Sequence, residues 1–278
     1  MRVASFNLLH GQPVVGARPD QQLAPSVEAL TAAVAELDVD VLGMQEVDVH
    51  QPRSEHMDQP RLAAESMGAD HWRFVPTVRG TPGNRGDFHP ADTPTRVAAG
   101  LGEPVGPLYG VALVSRLEVT SWHSAIYDAA PIGLPLLVPG SNGKPRFLKV
   151  PDEPRAVVAA VVATVDGPVT VATAHLSFVP GYNIAQLRRI RHWLRQFPRP
   201  LVLLGDFNLP GRLPERITGF TGIVSQASYP SYGPRVQFDH ILVDGLPEAA
   251  VAEARASARA LSLHVSDHCA ILADIPLG

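Results

Sequence analysis

The 278-residue chain holds a single cysteine, Cys269. That scarcity excludes an intramolecular disulfide, and with no Cys/His cluster at ligand spacing a structural zinc site is not expected either. Cys269 lies in the apolar run CAILADI and reads as a buried core thiol. Positive charge is also short: 23 Lys and Arg stand against 27 Asp and Glu, a formal net charge of −4. A tight, non-specific grip on polyanions is therefore not expected, although local or metal-supplied charge leaves a nuclease open. No apolar run reaches the roughly 20 residues that cross a bilayer. The opening MRVASFNLLHG is strand-like, without a basic-then-apolar leader. The expected location is cytoplasmic.

Apolar residues are plentiful, 45% of the chain, enough for a sizeable core. No linker separates two cores and no short-period repeat is visible, so one domain over 1–278 is expected. Residues 2–7 read as a strand. Val27, Leu30, Val34 and Leu37 recur at helical spacing over 25–37, with Ser26 near the start. VDVLGM (39–44) is a buried strand ending at Gln45-Glu46. This strand–helix–strand opening predicts α/β architecture. A second helix is expected over 58–67, closed by Gly68, and a strand over 72–78. Residues 79–108 and 130–147 are rich in Gly and Pro and are expected to be irregular. Strands are expected at 109–115 and 117–127. Two β-rich runs flank Asp166-Gly167, a hairpin signal. A helix follows over 183–197, with Ile184, Leu187, Ile190, Leu194 and Phe197 inward and its arginines on a solvated face. Strands at 201–205, 238–243 and 269–275 complete the pattern. Helix, buried strand and acidic strand end thus occur twice, near 25–46 and 183–208, which suits two packed sheets with helices outside.

Six polar constellations sit at strand ends: Asn7, Gln45-Glu46, His175, Asp206-Phe207-Asn208, Asp239 and Asp267-His268. Each alone has a bland reading as a turn, cap or satisfied histidine. Together they offer the oxygen ligands that Mg²⁺ or Mn²⁺ prefers, with histidines that can contact phosphate or move protons. That combination points to hydrolysis of a phosphate ester.

SFNLLHG, LGMQEVD, YGVALVSR, TAHLS, LLGDFNLP, QFDHILV and VSDH, in this order, resemble the endonuclease/exonuclease/phosphatase superfamily over residues 5–268. The resemblance implies a four-layered α/β sandwich, two packed mixed β-sheets flanked by helices as in deoxyribonuclease I. It also implies a Mg²⁺-dependent site, Mn²⁺ being the alternative, in the cleft between the sheets' loop ends. Carried onto this chain, it makes Glu46 the principal metal ligand with Asn7 beside it and Asp267 adding to the shell. Asp206 would orient or deprotonate the attacking water, and Asn208 would hold water and phosphate. His268 would contact the phosphate, oriented by Asp239, and His175 would approach near the leaving group. Asp206 and Asn208 could instead serve a second ion.

TAHLS is similar to the segment of deoxyribonuclease I, the sphingomyelinases and the inositol phosphatases. The Val-Pro-Asn type segment of exonuclease III-type enzymes is missing here, which disfavours abasic-site repair. The leading expectation is a nuclease-type phosphodiesterase. A phosphomonoesterase or lipid-headgroup phosphoesterase is the alternative, and a binding module with a dead site the third. The partner implied is the phosphate-ester substrate. Tyr229, Tyr232 and Arg235 could clamp it or simply pack. Arg155 could contact phosphate or be a surface residue, Phe178 leans to packing, and His10 reads as a loop residue.

Overall fold

Two β-sheets stack face to face in the computed structural model, which describes residues 1–16, 18–20, 23–81, 89–100, 104–139 and 145–277. The seven-stranded sheet runs in the order 259–261, 270–274, 2–7, 41–49, 108–115, 71–79 and 89–90. The six-stranded sheet runs 221–222, 239–244, 201–206, 167–175, 155–164 and 119–127. Their central strands are covered on both faces, so they read as near-continuous apolar runs rather than as alternations. Between the sheets lie Val3, Val41 and Leu113 from one side and Val158, Val171, Val202, Leu204 and Ile241 from the other. The helices Val27–Leu37 and Gln59–Met67 cover the outer face of the first sheet through Leu30, Val34, Leu37, Ala63 and Met67. The helix Tyr182–Leu194 covers the second through Leu187, Ile190 and Leu194. Helix, sheet, sheet, helix gives the four layers.

The period of two along a strand carries this packing into the site. In Arg2–Asn7, Ala4 and Phe6 face the helices while Val3, Ser5 and Asn7 follow one another on the other face. In Gly167–His175 the run Val169, Val171, Thr173, His175 does the same, and in Leu201–Asp206 the run is Val202, Leu204, Asp206. Each row passes from aliphatic to polar towards the same end of the sandwich. One step below the site, Gln45 Nε2 donates to Thr173 Oγ1 across the sheets at 2.8 Å, and Ser5 Oγ is hydrogen-bonded to the same Gln45. The close approach depends on Gly43, where a Cβ would lie 2.6 Å from Thr173 Oγ1.

Local signals place the helices. Ser26 Oγ accepts from Ala29 N at 3.1 Å as an N-cap, and Gly68 closes the second helix at φ +63°. Several expectations are corrected. Within 130–147, Leu134–Pro139 pairs with Pro145–Val150 as an antiparallel hairpin; prolines do not bar strands that lie outside the central sheets. The 79–108 segment contains a helix at Thr93–Gly100 and a short strand at His89–Pro90, while its residues 82–88 and 101–103 lie outside the described ones. The helices Leu213–Thr218 and Glu248–Ser257 and the strand Arg259–Leu261 had no counterpart in the sequence reading. The second of these helices is alanine-rich and buries only Val251 and Ala254, so its apolar stripe is faint. Cys269 is buried. Among the described residues no helix is long and apolar enough to cross a membrane.

Candidate active site

Strand register assembles the site. His175 pairs with Asp206 across a parallel ladder, and Asp206 pairs with Asp239 across an antiparallel one, so three functional side chains sit in a row on the six-stranded sheet. On the facing sheet Asn7 pairs with Gln45. The strand Val41–Val49 bulges between Met44 and Val47, and Glu46 there has φ +53°. The bulge re-aims Glu46 into the cleft, out of the regular alternation. Asn208 also has a positive φ, +50°. Strained non-glycine residues of this kind cost about 1–3 kcal/mol and cluster at functional sites.

The polar contacts form one continuous chain. His268 Nδ1 lies 2.8 Å from Asp239 Oδ2, which also accepts from Ser228 Oγ. On its other side His268 Nε2 is 3.8 Å from Asp206 Oδ2. His175 Nε2 is the same distance, 3.8 Å, from that oxygen. Asn7 Nδ2 donates to Asp206 Oδ2 at 2.9 Å and to Glu46 Oε1 at 3.0 Å, linking carboxylates from the two sheets. Asn208 N donates to Asp206 Oδ1 at 2.9 Å, and its Nδ2 donates to Leu176 O at 3.0 Å. Asp206, Asp239 and His268 bring one ligand atom each within 4.8 Å of one another.

Burial sets the protonation states. Asp206 is pushed up to about 7 by burial, with Asp239 adding to the rise, while His268 and the hydrogen bonds from Asn208 and Asn7 hold it back. Asp267 rises to about 6 through burial and the neighbouring Glu46 and Asp239. Burial opposes charge on His268, but Asp239, Asp206 and Asp267 outweigh it and raise the imidazole to about 10. His175 goes the other way, well below its usual range, because it is buried beside Arg155 and His268. Arg155 Nη1 donates to His175 Nδ1 at 3.0 Å, which a neutral imidazole can accept.

These residues open on a cleft of about 600 Å³, lined among others by Glu46, Arg155, His175, Asp206, Asn208, Tyr229, Asp267 and His268. Asn7 and Asp239 support the lining from behind. Tyr229 stacks at a tilt on His268, ring centres 4.9 Å apart. Arg155 is buried, not a surface residue, and lies between Asp152 and Glu153 at 3.3 and 3.1 Å. Tyr232 and Arg235 are exposed and are not part of the described lining. Sequence reasoning missed Arg53, Tyr109 and Glu153, which line the cleft, and Ser228 and Ser266, which brace it. His10, read as a loop residue, also lines it. Glu153-Pro154-Arg155, charges abutting a fully buried strand, was the available signal for one of these.

A hard divalent cation fits the donor set. Asp267 Oδ1 is buried with no hydrogen-bond partner among the described residues, beside Glu46, in a site rich in carboxylate oxygen. Asn7 is oriented differently from a ligand: its Oδ1 accepts from Leu9 N at 3.1 Å and its Nδ2 faces the carboxylates.

Residues 4–268 match the family model described as Endonuclease/Exonuclease/phosphatase family. The chain belongs to that family. Its members are hydrolases that act on phosphate esters. No curated protein matches the chain. Among solved structures, an endonuclease/exonuclease/phosphatase from Beutenbergia cavernae is 19% identical at a TM-score of 0.62, covering 100% of this chain and 72% of that one. A mannosyl-6-phosphatase from Bacteroides thetaiotaomicron is 13% identical at 0.55, with 99% of both chains covered. The human Nocturnin catalytic domain with bound sulfate is 15% identical at 0.51, covering 99% of this chain and 94% of that one. At these identities the likeness shows the endonuclease/exonuclease/phosphatase fold, the two-sheet sandwich described above.

Proposed function

We propose that the chain is a Mg²⁺- or Mn²⁺-dependent phosphodiesterase that hydrolyses its substrate by direct attack of water. The observation that carries the reading is the row Asp239–His268–Asp206–His175 set beside Glu46 and Asp267 in one cleft. Glu46 and Asp267 would hold the cation, which supplies Lewis-acid charge at a phosphate oxygen when bound. Asp206, raised to about 7, orients the water and takes its proton, with Asn208 fixing that carboxylate through its backbone N–H. His268 remains an imidazolium at neutral pH, oriented by Asp239, and stabilises the charge that builds on the phosphoryl oxygens. His175, neutral, offers phosphate a hydrogen bond instead of a proton. The new bond is from water oxygen to phosphorus, and the bond broken is from phosphorus to the leaving oxygen, which takes a proton from solvent to become the alcohol while Asp206 returns its proton to solvent.

Charge favours a diester over a monoester. Glu46, Glu153, Asp206 and Asp267 line the cleft against Arg53, Arg155 and the His268 imidazolium, and all three cations are already paired with carboxylates. A monoanionic diester is repelled less than a dianionic monoester. The test is hydrolysis of methyl p-nitrophenyl phosphate and of p-nitrophenyl phosphate, with Mg²⁺, with Mn²⁺ and with EDTA. Metal-dependent turnover of the diester, faster than the monoester, is expected; equal turnover in EDTA would refute the reading.

A further inference from the structure

One flank of the cleft is not used by the chemistry just described. It is formed by His10, Arg53, Tyr109 and Glu153, with Phe178 at its border. Every charge on it is answered within the protein. Arg53 donates twice to the fully buried Asp48, through Nε and Nη2, both at 2.8 Å. Glu153 Oε1 lies 3.1 Å from Arg155 Nη1. Among the described residues this flank has no free cation for a second phosphate, so it is ill suited to the neighbouring phosphates of a nucleic-acid strand.

Yet it is polar and held rigid. The Arg53 guanidinium lies over the Tyr109 ring at 5.5 Å, which fixes both planes. Gln59 ties the flank together, its Nε2 donating to His10 O at 2.8 Å and its Oε1 accepting from Asp48 N at 2.8 Å. Leu9 and His10 hold φ of +45° and +47°, a strained turn that this bond pins in place. His10 Nδ1 is buried with no hydrogen-bond partner among the described residues. A guanidinium, a phenol and a carboxylate, held in place by their pairing within the protein (the phenol with Glu153), stand beside the open His10 nitrogen and set polar donors and acceptors side by side. A ligand that satisfies them must itself donate and accept at closely spaced atoms, which hydroxyl groups do. Phe178, with Arg155 5.9 Å from its ring centre, supplies an apolar face for the C–H side of such a group. A cleft of about 600 Å³ falls within the roughly 300–1,000 Å³ of small-molecule sites.

We propose that the His10–Arg53–Tyr109–Glu153 flank binds a small, hydroxyl-rich alcohol group of the ester, so that the substrate is a polyol phosphodiester. The inference rests on the phosphodiesterase reading. The polyol can be free or a lipid headgroup, and the test separates the two.

The assay is competition against hydrolysis of methyl p-nitrophenyl phosphate in Mg²⁺, with direct calorimetric titration alongside. The competitors are glycerophosphoinositol, phosphatidylinositol vesicles and a single-stranded oligothymidylate. Wild type is expected to bind glycerophosphoinositol at least tenfold more tightly than oligothymidylate. His10→Ala and Glu153→Gln should each weaken the polyol diester at least tenfold relative to the aryl diester. Arg235→Ala, exposed and outside the cleft, should change neither. Preference for the vesicles over the soluble diester, lost in the same variants, would assign the polyol to a lipid. Tighter binding of oligothymidylate, or polyol affinity unchanged in folded His10→Ala and Glu153→Gln, would overturn the proposal. If the aryl diester is not hydrolysed, the phosphodiesterase reading fails, and calorimetry on the same variants still decides the polyol flank.

Discussion

Asp239→Asn isolates the role of one buried carboxylate without changing its shape. Asp239 is fully buried, accepts from Ser228 Oγ, and is the hydrogen-bond partner of His268 Nδ1. A hydrogen bond to a charged group contributes about 1.5–3 kcal/mol net, and leaving a buried charge unpaired costs about 3–5 kcal/mol. If His268 delivers its positive charge to the transition state, a loss of about 3–4 kcal/mol of that stabilisation lowers kcat by about 10²–10³-fold. The change should fall on kcat, with KM for the aryl diester moving far less. The same variant should shift the imidazole. In the wild type without metal, His268 is raised from 6.5 to about 10, so its contribution to stability is fully present below pH 6.5 and is lost as pH rises through about 10. In Asp239→Asn the largest cause of that rise is gone, and with only Asp206 and Asp267 left to raise the imidazole, stability should fall far less between pH 6.5 and 10. Steady-state kinetics, NMR titration of the His268 ring in EDTA and urea melts across pH measure the three effects. A variant with kcat within threefold of wild type, and with His268 still titrating near 10, would refute the reasoning.

Glu46→Gln should abolish most cation affinity and activity while leaving the fold intact, and an unchanged Mg²⁺ titration would remove Glu46 from the ligand set. Asp206 and Asp267 are raised to about 7 and about 6, so stability in EDTA should decline as pH rises from about 3.8 through 7. Mg²⁺ should reverse that decline and bind more tightly with rising pH, releasing protons that calorimetry in two buffers counts. Gly205 has φ +147°, and a Cβ there would lie 2.0 Å from Ala174 O, so Gly205→Ala should destabilise by more than about 4 kcal/mol in urea melts. Arg155→Met strands Asp152 and Glu153 as buried carboxylates and should cost about 3–5 kcal/mol. A Tm unchanged from wild type in that variant would show that the pair is not a buried ion network.

The two sheets and the helices on their outer faces were legible because their strands are long apolar runs and their helices have clear stripes. Glu46, His175, Asp206 and Asp267-His268 were legible because polar residues interrupt those runs where strands end. The sequence could not show that Asn7 donates to two carboxylates, since that depends on how its amide is turned by Leu9 N. Nor could it show Arg53, Tyr109 and Glu153 on one wall: they come from three separate segments and meet only when the strands align. Tyr232 and Arg235, plausible clamps by composition, are exposed and stand outside the lining, in the turn closed by the antiparallel pairing of Tyr229 with Val236.

The bond from Gln45 to Thr173 has a further consequence. Glu46 belongs to one sheet, with Asp267 in the loop that enters its strand Ala270–Asp274, and His175, Asp206 and Asp239 belong to the other, so the site exists only as an alignment between two independently hydrogen-bonded slabs. Aliphatic side chains between them resist separation but hardly resist sliding, because dispersion contacts have little directional preference. The amide-to-hydroxyl bond, made where Gly43 lets the sheets approach, acts as a dowel against shear. A single added methyl at Gly43 would then detune the catalytic groups collectively, from a position that touches neither cation nor phosphate.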